Sequence, residues 1–209
     1  MAPPPIVKAT IQSAVLAATS NFLAQALMAY RNETSLVLDW VPMFQFILFA
    51  FISTPPNFLW QEFLESTYPA YKATAGTSAA EKKEQKQEQA PKLSKGNTAA
   101  KFVLDQTVGA AANTFLFSVF IHSIQAAMAV SSGSAGGVVG LDYSKVDWTH
   151  VLARSRAEFA ALVVAGWRLW PLVSLVNFTL VKTVEGRNLV GGLAGVAWGV
   201  YMSLVAAGS

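Results

Sequence analysis

The sequence has no cysteine, only two histidines and few charged residues. Without cysteine, the chain has no disulfide scaffold, no thiolate nucleophile and no cysteine-ligated metal site. His122 and His150 lie in segments of different character, so a multi-histidine metal site is not expected. Charged residues make up 13% of the 209 positions, against about 25% in typical soluble domains. These shortages exclude small disulfide-rich domains and argue against a soluble metalloenzyme.

The few charges are distributed unevenly, and long apolar segments lie between them. Each segment carries at most two charged residues; the segments are 6–30, 40–66, 102–130, 159–181 and 188–206. A helix needs about 20 mostly apolar residues to cross a hydrocarbon core. The pattern therefore predicts an all-α, polytopic transmembrane helix bundle, one membrane domain over 1–209 with the lipid bilayer as partner. It predicts four to five spans, because the sequence does not show whether 159–181 and 188–206 both cross the membrane.

Two polar regions complete this organisation. Asp147 is typical of an N-cap ahead of a helix over 148–158, whose charged residues indicate an interfacial position. Residues 72–100 are rich in lysine, glutamate and glutamine and predict a flexible loop within the membrane domain. Its excess of lysine places it on the cytosolic or matrix-like side. The net charge of +3 is modest, so nucleic-acid binding is not expected.

Small and polar residues follow one face of two predicted spans, at 100° per residue. On the first span they are Thr10, Ser13, Ala17, Asn21, Gln25 and Met28; on the third they are Thr107, Ala111, Thr114, Ser118, His122 and Gln125. One interpretation is a hydrated passage, with pore-lining candidates Asn21, Gln25, Thr107, Thr114, Ser118, His122 and Gln125. The other is helix–helix packing, in which small residues allow close approach and polar groups bond across the interface. The stripes alone favour packing.

Three ionisable residues inside the apolar segments have alternative interpretations. His122 is either proton-responsive or, as we favour, a neutral ring bonded to a neighbouring helix. Asp105 lies near the start of its helix, where the macrodipole favours a carboxylate. Arg168 is expected to pair with a carboxylate or to extend its guanidinium towards the membrane interface.

Gly191, Gly195 and Gly199 recur every four residues in the last segment, a spacing that predicts close helix packing. A Ser–His–Asp set, a paired-carboxylate site and a phosphate-binding loop are all missing from the sequence. We therefore expect neither an enzyme nor a bound cofactor or metal. A homo-oligomer or membrane-protein partners remain open.

Motifs along the chain resemble those of the Mpv-17 / peroxisomal membrane protein 22 family of small organelle membrane proteins. The C-terminal third carries the densest set: Trp167, Trp170, Pro171, Asn177, Phe178, Val181, Arg187, Trp198, Tyr201 and Ser203. Upstream, the matching residues are Gln25, Pro55, Trp60, Leu64, Glu65, Pro69, Asp105 and Gln106. The resemblance covers nearly the whole chain outside 72–100. We interpret most of these residues as fixing the shape of the helix bundle.

The chain departs from the family pattern at four positions: Asn21 stands where the family has an acidic residue, and Thr54, Ala111 and Lys182 replace a glycine and two prolines. The first change weakens any mechanism that selects cations with a first-span carboxylate. The resemblance implies a pore for small uncharged or weakly anionic solutes in an organelle membrane. Together with the lysine-rich loop, it favours peroxisomes slightly over the mitochondrial inner membrane. The alternative is a membrane scaffold or adaptor that organises the organelle membrane or docks a larger complex.

Overall fold

A computed structural model describes residues 3–71, 93–132 and 140–206. Seven α-helices follow one another: α1 (Pro5–Arg31), α2 (Trp40–Thr67), α3 (Lys95–Leu104), α4 (Ala110–Ser132), α5 (Trp148–Gly166), α6 (Trp170–Thr179) and α7 (Val184–Ala206). A π-helical turn, Asp105–Gly109, joins α3 to α4, and a 3-10 turn, Tyr143–Lys145, precedes α5. The described part is helical, apart from an isolated bridge between Tyr71 and Leu93. The all-α prediction is thus confirmed.

The helices begin where local chemistry allows the first turn to form. Pro5 opens α1, where its fixed φ suits a helix and its missing N–H is not needed. Asp39 caps α2 by accepting from the backbone N–H of Val41 at 2.9 Å, and Asp147 caps α5 by accepting from that of His150 at 3.1 Å. The N-cap predicted at Asp147 is therefore present.

Helix α2 stays helical although Pro55 and Pro56 lie inside it. Each proline lacks the N–H that would bond four residues back, so two backbone carbonyls lose their usual donor. In a membrane such carbonyls are tolerated where neighbouring groups re-satisfy them. The motif proline Pro55 thus lies in the middle of the second apolar helix, close to the cavity described below.

The π-helical turn makes α3, the turn and α4 one long apolar helix, Lys95–Met128. A π-turn inserts an extra residue and shifts the helix faces on either side of it, and such turns occur often at functional sites. Gly109 is the last residue of the turn and packs against α2. A Cβ there would lie 2.8 Å from Nε1 of Trp60, so glycine is what lets the two helices approach.

Within the described residues, two helices are long and apolar enough to cross a membrane, Trp40–Thr67 and Lys95–Met128. The pair α5 and α6 adds a third if it is one broken span, bent by 57°. The prediction of four to five spans is not confirmed. The predicted interfacial segment 148–158 and the start of predicted span 159–181 form the single helix α5, and the span breaks at Trp167–Leu169.

Helix α1 packs along both α2 and α7, while α4 packs on α5 and α2. Between α2 and α4, Phe120, Ile124 and Met128 form a buried apolar cluster. The ring of Phe49 meets that of Phe117 edge-on at 5.2 Å between centroids, a favoured aromatic geometry. These contacts hold α2 and α4 together on one side of the bundle.

The predicted loop 72–100 ends earlier than expected. Residues 95–100 form the first turns of α3, whereas 72–92 lie outside the described residues. The N–H of Ser94 donates to the carbonyl of Ala70 at 2.8 Å, and the amide of Asn97 donates to the carbonyl of Pro69 at 2.9 Å. The two ends of the segment are therefore held side by side at the end of α2.

Candidate functional site: a cavity between the helices

A cavity of about 830 Å³ lies between α1, α2, α4, α5, α6 and α7. Its volume falls within the range of about 300–1,000 Å³ that is typical of small-molecule sites. Most of the wall is apolar or formed by small residues, including Phe46 and Phe49 on α2 and Gly191 and Gly195 on α7. Trp167, Trp170 and Trp198 also border it. Polar side chains gather where α2, the π-turn, α6 and α7 meet.

Asp105 organises this polar end of the cavity. One carboxylate oxygen accepts from Nε2 of Gln61 at 2.9 Å. The other accepts from Oγ of Ser174 at 2.8 Å and from Nε2 of Gln106 at 3.3 Å. The π-turn thus directs one carboxylate to α2 and α6 together. These hydrogen bonds join α2, the π-turn and α6, so Asp105 connects helices and is not a simple helix cap.

A buried ion cluster adjoins this network. Oε2 of Glu65 lies 2.7 Å from Nζ of Lys101 and 2.6 Å from Nη1 of Arg187. The Lys101 side chain is 0% exposed and that of Arg187 is 1% exposed, against 29% for Glu65. Oε1 of Glu65 accepts from the N–H of Ala70 at 2.8 Å. One partly exposed carboxylate therefore balances the charge of two buried cations.

The ring of Phe178 lies close to both cations of this cluster. Nζ of Lys101 and Cζ of Arg187 each lie 5.3 Å from its centroid, within range for cation–π attraction. Asn177, the preceding residue, donates from Nδ2 to the carbonyl of Arg187, and Arg187 donates from Nε to the carbonyl of Asn177, both at 3.3 Å. The motif residues Asn177, Phe178 and Arg187 therefore join α6 to the start of α7.

The first-span stripe divides between the cavity and a helix contact. Ser13, Ala17 and Met28 border the cavity, whereas Asn21 and Gln25 do not. The Gln25 amide donates to the carbonyl of Asp39 at 2.8 Å and accepts from the Asp39 N–H at 2.7 Å. It also donates to Oδ1 of Asn21 at 2.7 Å. Gln25 therefore joins α1 to the start of α2, and Asn21 bonds to Gln25 within α1.

The α4 stripe divides in the same way. Thr114 borders the cavity; Thr107, Ser118, His122 and Gln125 do not. Ser118 donates from Oγ to Oε1 of Glu158 at 2.5 Å, and Nε2 of His122 lies 2.6 Å from the same oxygen. His122 thus bonds a neighbouring helix, which agrees with the favoured interpretation of that residue. Thr107 and Gln125 are exposed.

Gly191, Gly192, Gly195 and Gly199 of α7 all border the cavity, but they differ in how closely they approach α1. A Cβ at Gly199 would lie 2.5 Å from Oγ of Ser20, and one at Gly192 would lie 2.6 Å from Cδ1 of Leu16. At Gly191 and Gly195 a Cβ would meet nothing within 4 Å among the described residues. Of the three glycines predicted to pack closely, only Gly199 approaches α1 within contact distance; Gly192 supplies the second close contact, and all four glycines border the cavity.

The break between α5 and α6 places one motif residue, Pro171, and one charged residue, Arg168. Pro171 lies in the first turn of α6, where a proline needs no hydrogen-bond partner. It therefore starts a helix just after the 57° bend between α5 and α6. Arg168, in the break, is exposed and donates from Nη1 to the hydroxyl of Tyr201 at 3.4 Å.

Sequence reasoning missed the polar end of the cavity as a unit. Lys101 lies one residue beyond the predicted loop 72–100, and the motif matches at Glu65 and Arg187 do not pair these two residues. Glu158 ends the predicted interfacial segment 148–158, so its contact with His122 does not follow from the sequence pattern. The missed signal is a set of charges at the ends of apolar helices, which must find partners once the helices pack.

An integral-membrane helical bundle with an internal cavity is the class of protein that this geometry defines. Residues 144–203, from the 3-10 turn through most of α7, match the model of the Mpv17 / PMP22 family. The chain is also similar to "PXMP2/4 family protein 3" of Dictyostelium discoideum, 23% identical over 203 residues, covering 97% of this chain and 84% of that protein. No solved structure matches significantly. The predicted resemblance to the Mpv17 / PMP22 family is confirmed over residues 144–203 by the family model, and the similarity to the Dictyostelium protein extends it over nearly the whole chain.

Proposed function

We propose that the protein forms, or contributes to, a pore for small solutes in an organelle membrane, and that it is not an enzyme. The observation that carries this proposal is the cavity of about 830 Å³ between the helices. Its wall combines apolar faces, which do not hold a polar solute tightly, with one polar end, which lowers the cost of removing the solute from water. Passage needs this balance, because a solute must be able both to enter and to leave.

The charges near the cavity support small solutes of low charge. Asp105 already accepts three side-chain hydrogen bonds, and Glu65 is shared between two cations. The first span carries Asn21 at the acidic position of the family pattern and presents no carboxylate to the cavity. A mechanism that attracts cations with a first-span acid is therefore not supported.

The proposal is tested by filling the cavity. Gly195→Phe places a ring where a Cβ meets nothing within 4 Å, so it blocks the space without a backbone clash. Purified protein in planar bilayers or in liposomes that swell with solute entry should lose most of its permeability. Gly96→Phe is the matched control, because Gly96 is exposed on α3 with open space around it. Equal permeability of the two variants, or no permeability of the wild type, contradicts the proposal.

Peroxisomes are the location we propose, slightly ahead of the mitochondrial inner membrane. The support is the family assignment together with the lysine-rich segment between α2 and α3. A fluorescent fusion of the full chain, imaged with markers of both organelles, tests it. Exclusive overlap with the mitochondrial marker overturns the peroxisomal assignment and leaves the pore proposal standing.

The second candidate function is a scaffold or adaptor. Its support is the lysine-rich segment, whose two ends the structure holds together at Tyr71 and Leu93. Deleting 76–90 spares α3 and its contact with Pro69. A scaffold that uses the segment loses its partners after this deletion, whereas a pore keeps its permeability. Purification of both forms from membranes, followed by the liposome assay, distinguishes the two functions.

A further inference from the structure

The polar end of the cavity contains hydrogen-bonding atoms that the described residues leave unmatched. They are Oε1 of Gln61, Oε1 of Gln106, Oδ1 of Asn177 and Nη2 of Arg187. All four residues border the cavity. Buried polar atoms are almost always paired in proteins, so four unpaired ones at one end of a cavity need an explanation.

The identities of these atoms are fixed by their neighbours. The amide nitrogens of Gln61 and Gln106 donate to Asp105, whose carboxylate can only accept. The amide nitrogen of Asn177 donates to the carbonyl of Arg187. Each amide oxygen is therefore the atom left over. The cavity end offers three acceptors and one guanidinium donor.

The formal charges at this end already cancel. Lys101 and Arg187 are positive, and Glu65 and Asp105 are negative. Lys101 and Arg187 are nearly or fully buried, so one more charge would leave an uncompensated ion in a poorly hydrated site, which is costly. A bound cation would face Arg187. A bound carboxylate, which only accepts, would face three amide oxygens that need donors.

A hydroxyl group satisfies both kinds of unmatched atom, because it donates one hydrogen bond and accepts others. We propose that this end of the cavity is a binding subsite for a small neutral solute with several hydroxyl groups. Its hydroxyls donate to the amide oxygens of Gln61, Gln106 and Asn177, and one of them accepts from Arg187. The amide ends reach the solute by small side-chain rotations, since their terminal torsions are soft.

The rest of the cavity suits such a solute. The carbon face of a polyol is apolar, and Trp167 and Trp170 border the cavity on the α5–α6 side. The volume of about 830 Å³ exceeds what a four-carbon polyol needs, so the subsite occupies one end of the passage. The inference deepens the proposed pore function, and it rests on that function for the solute to reach the site.

A titration of the purified full chain in lipid nanodiscs tests the subsite. Erythritol is the neutral probe and sodium lactate the anionic one, and fluorescence of the cavity-bordering tryptophans reports binding. We expect a saturable change with erythritol and none with lactate over the same range. A non-saturable response to erythritol, or saturation by lactate at equal or lower concentration, overturns the proposal.

Gln106→Met removes one amide oxygen with little change in side-chain shape. It should raise the half-saturating erythritol concentration about fivefold, the effect of one neutral hydrogen bond. Gln125→Met, on the exposed face of α4, should change it less than twofold. Equal effects of the two variants overturn the assignment of Gln106. If Gln106→Met fails to fold, the comparison of erythritol with lactate in the wild type still decides.

Flux measurements separate this inference from the proposed function. Saturable binding without solute flux in liposomes supports the subsite and overturns the pore. Flux that follows solute size alone, without saturation by erythritol, supports the pore and overturns the subsite.

Discussion

Two polar clusters lie within apolar helices, and they are built differently. At the end of the cavity, Glu65, Lys101 and Arg187 bring together α2, α3 and α7. On the other side of the bundle, Ser118 and His122 of α4 share one oxygen of Glu158 on α5. The first cluster joins three helices and holds two buried cations, while the second joins two helices through a carboxylate that is 33% exposed. Burial, more than the presence of charge, decides how much each cluster matters.

Removing the shared carboxylate of the first cluster should have the largest effect on stability. Glu65→Gln leaves Lys101 and Arg187 buried beside each other without a counter-charge, which costs about 3–5 kcal/mol when a buried pair is broken. Thermal unfolding in detergent should show a clear fall in the midpoint. Glu62→Gln, one turn away and exposed, should stay within about 0.5 kcal/mol of wild type. Similar midpoints for both variants would falsify the idea that the cluster holds three helices together.

Crowding the π-turn should have the next largest effect. Gly109→Ala places a methyl group 2.8 Å from the rigid indole nitrogen of Trp60, so α2 and α4 must move apart, at a cost of about 1–3 kcal/mol. Gly195→Ala meets nothing within 4 Å and should be neutral or stabilising by up to about 1 kcal/mol, because alanine favours helix. The unfolding free energies of the two variants, measured in detergent, check this prediction. A Gly109→Ala variant as stable as wild type contradicts the close approach of α2 and α4.

The second cluster should respond more weakly and without a functional effect. His122→Leu removes one partner of Glu158 but leaves Ser118 bonded to it, so the expected cost is about 1–2 kcal/mol. Because His122 does not border the cavity, solute flux in liposomes should be unchanged. A large loss of flux in a folded His122→Leu protein would place the passage between α4 and α5, as the pore interpretation of the stripe predicts.

The smallest effect comes from two matched threonines of the long α3–α4 helix. Thr114 borders the cavity and Thr107 is exposed. Thr114→Val keeps the shape of the wall but removes a hydroxyl, so permeability should change by less than about threefold. Thr107→Val should leave it unchanged. Liposome swelling with several solutes checks this. If Thr107→Val has the larger effect, the passage does not run through the cavity.

Local patterns were sufficient for the positions of the helices. The apolar segments 6–30 and 40–66 coincide within one residue with α1 and α2, because apolar composition between polar breaks is a local property. The change of direction between α5 and α6 does not follow from these apolar segments. The chain turns by 57° there, and the apolar composition continues across the turn. Hydropathy does not report direction, so a bent pair and a straight span look alike.

The candidate site was predictable only in part. Thr114 was identified from its helix face, but six of the seven pore-lining candidates do not border the cavity. The helix faces that carry these candidates do consist of small and polar residues. Which neighbour the face meets depends on packing: α1 uses Gln25 to hold α2, and α4 uses His122 to hold α5. The glycine repeat shows the same limit, because Gly191 and Gly199 lie on one sequence stripe and face different surroundings.

The sequence by itself determined an all-helical membrane protein that resembles a known family, since a chain with so few charges and with apolar segments long enough to span a bilayer is poorly suited to water. Only the tertiary structure decided which charges meet. Glu65, Lys101 and Arg187 are separated by at least 36 residues along the chain and by 2.7 Å or less across their ion pairs. The physical reason is that an ion in an apolar interior must find its counter-ion wherever the packed helices place it.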